Sequence, residues 1–246
     1  VDTGYYATFN RPNVELVNLR EEPLVAFDAT GISTEAKHYD FDAVVLATGF
    51  DAMTGAIDRI DIRGVGGRTM KQHWAEGPKT YLGLMVTGFP NLFTITGPGS
   101  PSVLTNMLNA IEQHVEWIAD CLVALNQRQQ TSIEASPEAE ATWCRHAAEA
   151  VAPTILPQAN SWYMGANVPG KPRMFMPYAG GLHTYMEICR QVVAKDYEGF
   201  IIRQGDQVHS DSREFTCHPP MPDIPEKLMP IIVERLTGAG LMPAAS

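Results

Sequence analysis

The feature that most constrains the fold is a Gly/Pro-rich turn between a short apolar segment and a long amphipathic pattern. The turn spans residues 97–102 (GPGSPS), and the apolar residues at 92–95 before it predict a short buried strand. After the turn, apolar residues recur three or four positions apart, which predicts one face of a helix of about six turns. The positions are Met107, Ile111, Val115, Ile118, Leu122 and Leu125. Such a turn either brings backbone N–H groups close to a ligand or simply connects two elements.

Composition limits the classes of function that this chain can have. Its 246 residues, of which 45% are hydrophobic, can bury the core of one large or two small domains. A net charge of -10 without a basic cluster argues against a nucleic-acid surface. No apolar run is long enough to span a bilayer. The four cysteines are far apart and suit neither zinc nor a disulfide framework, so we expect reduced thiols and a cytoplasmic location. They are Cys121, Cys144, Cys189 and Cys217.

The first fifty residues predict β structure. Residues 14–17 and 24–27 each predict a short strand. The continuous apolar run Ala43–Ala47 predicts a strand buried on both faces, as in a parallel sheet covered by helices. It leads into Thr48-Gly49, which is typical either of a tight turn beside a cofactor or of an ordinary strand end. The later Gly-rich segment 64–67 lacks dinucleotide spacing and predicts a surface loop.

The second half of the chain predicts helices separated by one long loop. Ser136-Pro137 is a strong helix start, and that helix should stop by Pro153. The segment 153–177 predicts a long loop without regular structure that carries aromatic residues, and such a loop is more often functional than disordered. In order, the further predictions are an irregular loop at 153–177, a helix ending near Lys195, a strand at 197–202, a polar segment at 204–222 and an amphipathic helix at 225–237.

Several segments, taken in order, resemble the C-terminal part of flavin-dependent Baeyer–Villiger monooxygenases, in particular the phenylacetone and steroid monooxygenase branch. The resemblance covers residues 1 to about 203, and residues 204–246 match nothing in the family. The segments are DTGYY at 2–6, LATGFD at 46–51, GPGSP at 97–101, Asn106-Met107, SWYMGANVPGK at 161–171 and YEGF at 197–200.

The resemblance implies an α/β fold: the C-terminal part of a two-dinucleotide-binding, Rossmann-like flavoprotein, with an incomplete FAD domain plus helices. Residues 1–52 would be closing strands at the junction of the FAD and NADP domains. Residues 53–203 would form the C-terminal part of the FAD domain, with a mobile loop at 153–177. Residues 204–246 would be a tail of unknown role.

The resemblance also implies the chemistry. Such enzymes bind FAD and NADP and use O2 to convert ketones to esters or lactones through a C4a-peroxyflavin. Carried over by position, the cofactor-binding residues are Thr48, Gly49, Asn106, Met107, Leu108 and Trp162, the last reaching the NADP ribose. Those of the substrate pocket are Ser102, Val103, Leu104 and Met107. No metal site is implied.

The sequence departs from the family by lacking both GxGxxG loops, the family fingerprint and the arginine expected to act in catalysis. We therefore expect the missing N-terminal portion of the same enzyme to be a partner, with this chain as a fragment, one part of a split protein or a degenerate homologue. By itself it should be inactive. Two alternatives remain: part of a flavin monooxygenase that oxygenates nitrogen or sulfur, and a non-catalytic partner or scaffold chain.

Overall fold

The computed structural model describes residues 3–211, which divide into two units after Gly49. The predicted tail helix at 225–237 and Cys217 lie outside the described residues. The first unit holds one short helix and a three-stranded antiparallel sheet in the order β1-β2-β3. These elements are α1 (Tyr5–Thr8), β1 (Leu24–Phe27), β2 (Gly31–Thr34) and β3 (His38–Asp40).

The β1–β2 turn is built by an aspartate. Asp28 Oδ1 accepts the backbone N–H groups of Thr30 at 2.8 Å and Gly31 at 3.0 Å. This is the local hydrogen bonding that favours aspartate in turns. Gly31 then passes so close to β3 that an added Cβ would lie 1.9 Å from the Tyr39 carbonyl oxygen. The predicted strand at 24–27 is confirmed, and glycine at position 31 is required by the strand pairing.

The predicted parallel strand Ala43–Ala47 is wrong for the described chain, as is the strand at 14–17. Neither segment is a strand, and Val45 is 86% exposed. Each of the four strand pairs among residues 3–211 is antiparallel. A continuous apolar run becomes a buried parallel strand only beside neighbouring strands and under covering helices, and the described residues supply neither to this run.

The second unit combines three long helices with a second antiparallel sheet in the order β4-β5-β6. A tight core of aromatic side chains lies among these elements, including Tyr81, Trp143, Tyr185 and Phe200, each at most 1% exposed. The elements are α2 (Met70–His73), α3 (Met107–Gln127), β4 (Ser132–Ala135), α4 (Pro137–Val151), α5 (Leu182–Ala194), β5 (Phe200–Gln204) and β6 (Gln207–Asp211).

Helix α3 is confirmed in length, but its predicted buried face is displaced. Val115 and Leu122 are about half exposed. The residues that are buried are Ala110, His114, Trp117, Cys121 and Leu125. The apolar positions found from the sequence therefore mostly flank the packed stripe, because a hydrogen-bonded histidine occupies the centre of that stripe and hydrophobicity alone does not place it there.

The capping signal at Ser136 predicts α4 correctly. Ser136 Oγ accepts the N–H of Ala139 at 3.1 Å, and Pro137 opens the first turn. The helix ends at Val151, before Pro153 as predicted. Side-chain capping satisfies a donor that the helix itself leaves unpaired, which explains why this boundary is readable from the sequence.

The predicted segment boundary after residue 203 falls inside regular structure. Strand β5 runs to Gln204, and β6 returns antiparallel to it through Gly205, which has a φ of 59°. The first residues assigned to a separate tail are thus part of the sheet that includes β4. Among the described residues, no helix is long and apolar enough to cross a membrane.

The short buried strand predicted at 92–95 is also absent. These residues form a partly exposed loop held by single hydrogen bonds, such as Thr94 N–H to the Leu84 carbonyl at 2.8 Å. The apolar side chains are instead used on the wall of a cavity, where a loop can present neighbouring residues to the same side.

Candidate functional site

A cavity of about 490 Å³ lies in the second unit, between the loop at 92–97, the start of α3 and the segment that opens the unit. Its wall is largely apolar, with methionine, aromatic and aliphatic side chains. The lining residues are Phe50, Ala52, Met53, Ile57, Ile62, Met70, Leu92, Phe93, Thr94, Ile95, Thr96, Gly97, Ser102, Val103, Met107 and Trp162. Size and apolarity fit a small organic ligand or part of a larger one.

The cavity brings together four of the residues predicted from the sequence. Ser102, Val103 and Met107 come from the turn before α3 and its first residue, and Trp162 comes from the long loop. The structure places the other predicted residues of this unit, Leu104, Asn106 and Leu108, off the wall; Leu108 is 68% exposed. Thr48 and Gly49 belong to the first unit and are exposed, with a φ of 79° at Gly49.

Three of the eight non-glycine residues that have a positive φ in the described part of the chain line the cavity. Met53, Thr96 and Ser102 have φ angles of 67°, 51° and 44°. Side chains other than glycine enter this region at a cost, and such residues cluster at ligand sites. The Ser102 hydroxyl lies 3.8 Å from the sulfur of Met53 and 4.0 Å from that of Met107. The strained residue therefore joins two of the methionines that shape the cavity.

The N-terminus of α3 meets the cavity at Met107. Asn106 caps the helix by accepting the N–H of Leu108 at 3.1 Å. A helix of 21 residues carries partial positive charge at this end. The cavity thus has an apolar wall with one electropositive edge, which favours a ligand group that carries negative charge.

The Gly/Pro turn at 97–102 is a structural junction, and the idea that it aims free N–H groups at a ligand is wrong for Gly99 and Ser100. The Gly99 N–H donates to the Met176 carbonyl at 2.6 Å, and the Ser100 N–H donates to the Gly97 carbonyl at 3.1 Å. Backbone groups in a buried turn must find partners inside the protein. The turn contributes to the site through Gly97 and Ser102 instead.

Side chains also donate hydrogen bonds to the carbonyl groups of this turn. Thr80 Oγ1 donates to the Pro98 carbonyl at 2.6 Å, and Trp143 Nε1 donates to the Gly99 carbonyl at 3.0 Å. Gly99 has a φ of 83°, and a Cβ there would lie 2.8 Å from Thr80 Oγ1. Glycine is therefore needed for both the backbone angle and the close approach.

A buried histidine supports the cavity wall at Thr96. The Thr96 N–H donates to His114 Nδ1 at 2.8 Å, so the ring proton of the neutral imidazole lies on Nε2. Nε2–H then donates to the Tyr185 hydroxyl oxygen at 2.8 Å, and that hydroxyl donates to the Leu82 carbonyl at 2.7 Å. Burial lowers the pKa of His114 to about 4, which keeps the ring neutral.

The loop at 153–177 is tied to itself by Arg173. Its guanidinium donates to Asn160 Oδ1 at 2.8 Å and to the carbonyls of Pro157 and Ala159 at 3.1 and 3.0 Å. Trp162, in the 3-10 turn Trp162–Met164, is packed on Tyr163 with ring centroids 4.2 Å apart.

A second, mostly apolar cavity of about 440 Å³ lies behind the same loop, against α4. Met164 lines this cavity, whereas Trp162, two residues earlier, lines the first. The 3-10 turn thus presents one side chain to each cavity.

Comparisons with known proteins find monooxygenases. No family model matches the chain. The cyclohexanone 1,2-monooxygenase of an Acinetobacter species is 40% identical over 203 residues, which are 82% of this chain and 37% of that protein. A Baeyer–Villiger monooxygenase of Pseudooceanicola batsensis is 40% identical over 199 residues, covering 80% and 36%. A phenazine N-monooxygenase of Lysobacter antibioticus is 39% identical over 208 residues, covering 84% and 37%.

Solved structures agree. Oxidized steroid monooxygenase bound to NADP is 53% identical with a TM-score of 0.74, over 83% of this chain and 38% of that one. The chain is homologous to the C-terminal portion of the Baeyer–Villiger monooxygenases. The OTEMO complex with FAD and NADP is 38% identical with a TM-score of 0.74, over 82% and 37%. The chain spans little more than a third of the length of these relatives.

The OTEMO structure contains FAD and NADP. The apolar wall of the cavity and the positive end of α3 fit a ring system such as a flavin. The pyrophosphate of FAD needs a Gly-rich turn between strand and helix, and the sequence contains no GxGxxG. Among the described residues, no cluster of three histidine, cysteine or acidic side chains could hold a metal ion.

Sequence reasoning missed several residues that build or support this cavity. Met53 and Thr96 adopt positive φ angles, which their residue types do not predict. His114 could have been suspected as a histidine inside an apolar helical pattern. Asp51 and Lys171 form an ion pair across 120 residues of sequence. Both lie in segments that carry the family resemblance, but no local pattern pairs them.

Proposed function

We propose that this chain is part of an FAD- and NADPH-dependent Baeyer–Villiger monooxygenase that inserts one oxygen of O2 next to a ketone carbonyl, giving an ester or lactone. The observation that carries the proposal is the cavity where Ser102, Val103, Met107 and Trp162 meet. The relatives support the proposal, because they include a cyclohexanone 1,2-monooxygenase. Free thiols at Cys121, Cys144 and Cys189 agree with a cytoplasmic enzyme.

The edge of the cavity at Asn106, Met107 and Leu108 would face the flavin. When bound, FAD supplies the transfer of electrons from NADPH and of oxygen from O2. The contribution of this chain is electrostatic, because the N-terminal end of α3 favours negative charge on a neighbouring ring. Thr48 and Gly49 would add a tight turn beside the cofactor.

The ketone would lie against the residues before α3. Val103 and Met107 offer apolar contacts, while the strained Ser102 fixes the turn that presents them. Leu104, 38% exposed and off the wall, would reach the substrate from the rim. Excluding water from this apolar space would protect reactive intermediates of the reaction from hydrolysis.

Trp162 would contact the NADP ribose through its indole N–H. Its place on the wall, on a loop tied by Arg173, supports this role. Arg173 makes three hydrogen bonds within its own loop, so we do not assign it the role of the catalytic arginine. No other arginine of the sequence lies in a segment that matches the family motif for it.

A hybrid enzyme tests the proposal. The portion of the steroid monooxygenase that matches this chain is replaced by residues 1–211, and flavin absorbance, NADPH consumption and products are measured. We expect stoichiometric FAD, ketone-dependent NADPH consumption and an ester product. Trp162→Ala should weaken NADP binding and increase peroxide release while FAD content stays normal. A folded hybrid that binds FAD but consumes NADPH at the same rate with and without ketone would contradict the proposal.

Oxygenation of a ring nitrogen is the second candidate, because the phenazine N-monooxygenase is nearly as similar as the ketone-oxidising relatives. The same hybrid, given phenazine in place of ketone, separates the two: an N-oxide without ester formation favours this candidate. Failure to bind FAD, in a hybrid that is otherwise folded, would favour a non-catalytic partner chain.

A further inference from the structure

We propose that Lys171 is a positioning residue whose ion pair with Asp51 holds the Trp162 turn against the cavity. The inference rests on the proposed function where it concerns NADP. The contact itself stands on the geometry of the described residues, and neither residue lines the cavity.

The Lys171 ammonium group is enclosed by the segment that opens the second unit. Nζ pairs with the Asp51 carboxylate and donates to the Ala52 carbonyl at 3.0 Å. The Lys171 side chain is 11% exposed and that of Asp51 31% exposed. Ion pairs at the open surface contribute little, but a pair this enclosed leaves an uncompensated charge when one partner is removed.

A second bond from the same loop reaches the neighbouring residue. Asn167 Nδ2 donates to the Phe50 carbonyl at 3.0 Å. The Lys171 stem packs on Gly165, where an added Cβ would lie 3.3 Å from two of its carbons. Residues 165–171 are thus fastened to 50–52 at two points.

Backbone bonds transmit this fastening to Trp162. The N–H groups of Met164 and Ala166 donate to the Ser161 carbonyl at 3.0 and 3.2 Å. Returning along the loop, the Met174 N–H donates to the Met164 carbonyl at 3.2 Å. Because Phe50 and Ala52 line the cavity together with Trp162, the ion pair joins two segments of the chain that line it.

Asp58 strengthens the dependence on Lys171. Burial is the largest cause of the raised pKa of Asp58, to which the charge of Asp51 adds, while a hydrogen bond with Thr54 and the charges of Lys171 and Lys71 lower it. Loss of the lysine charge would leave Asp51 and Asp58 as like charges in a partly enclosed space. Without the ion pair, the loop would keep only the Asn167 bond to residues 50–52, and we expect it to move more freely.

The first experiment measures the loop without using activity. Hydrogen exchange is followed at the amides of Met164, Ala166 and Met174 in the hybrid enzyme carrying Lys171→Met, Asp51→Asn or the reversed pair Asp51→Lys/Lys171→Asp. Each single variant should exchange about tenfold faster at these amides, and the reversed pair should recover most of the protection. Unchanged exchange in Lys171→Met would overturn the proposal.

The matched control is Lys195→Met, which removes a lysine paired with Glu198 at 2.9 Å on the surface. It should leave exchange in the loop unchanged. A similar increase in this control would mean that any lysine loss loosens the protein, and would also overturn the proposal.

The second experiment separates positioning from general stability. Lys171→Met should raise the KM for NADPH about tenfold, with FAD content unchanged and kcat at saturating NADPH lowered less than threefold. Faster loop exchange with an unchanged KM for NADPH would support the positioning role of Lys171 and contradict the role of Trp162 in the proposed function. The two ideas can therefore fail independently.

Discussion

The buried histidine of α3 makes stability depend on pH in a way that the structure allows to be calculated. His114 is fully buried, and its Nδ1 accepts the Thr96 N–H. Protonation of Nδ1 would place its new N–H opposite the Thr96 N–H, so that two donors face each other, and it would bury a positive charge. Burial accordingly lowers its pKa to about 4.

The sign follows from linkage. Unfolded histidine has a pKa of about 6.5. Between pH 6.5 and about pH 4, His114 therefore binds a proton in the unfolded chain and stays neutral in the folded chain. The stability due to neutral His114 is complete above the unfolded pKa and is lost as the pH falls. Between pH 7 and pH 5 the free energy of unfolding should drop by about 2 kcal/mol from this residue alone.

Urea unfolding at several pH values, followed by tryptophan fluorescence, measures this loss. His114→Asn is the matched variant, because its amide oxygen can accept the Thr96 N–H and does not titrate. Burial also lowers the pKa values of His73 and His146, but these residues are common to both proteins. The decrease in stability from pH 7 to pH 5 should be about 2 kcal/mol smaller in the variant. Equal decreases in the two proteins would refute the assignment of a neutral, buried His114.

Two further predictions concern the turn and the cavity. Gly99→Ala should destabilise the protein by about 2–4 kcal/mol in urea unfolding, because it combines a left-handed angle with a close approach to Thr80. Gly66→Ala, with a φ of 70° and open space around it, should cost only about 1 kcal/mol; equal costs would contradict the steric argument. Met107→Gly in the hybrid enzyme should alter which ketones are accepted or which substituent migrates. Leu122→Gly, at a half-exposed position of α3 that does not line the cavity, should leave the substrate profile unchanged, and matching profiles for native enzyme and Met107→Gly would contradict a place beside the ketone.

The sequence predicted well wherever the signal is local. Ser136-Pro137 marked the start of α4, and a three- and four-residue spacing marked the length of α3. Capping and helical periodicity depend on residues within a few positions of one another. The family resemblance, confirmed over about four-fifths of the chain, also depends on order along the sequence.

Pairing between distant segments needed the tertiary structure. The apolar run Ala43–Ala47 has the composition of a buried strand, but a strand forms only where another backbone lies beside it. The buried face of α3 depends on the partners that Thr96 and Tyr185 offer to His114. Helical periodicity limits the choice of face but does not identify the neighbours.

The cavity shows the same division. The sequence by itself determined that Ser102, Val103, Met107 and Trp162 belong to segments of one family pattern. Tertiary structure alone decided that they share a wall with Met53, and that Asp51 lies against Lys171. Local bonds follow from neighbouring residues, whereas a contact across 120 positions exists only after the backbone between them has folded.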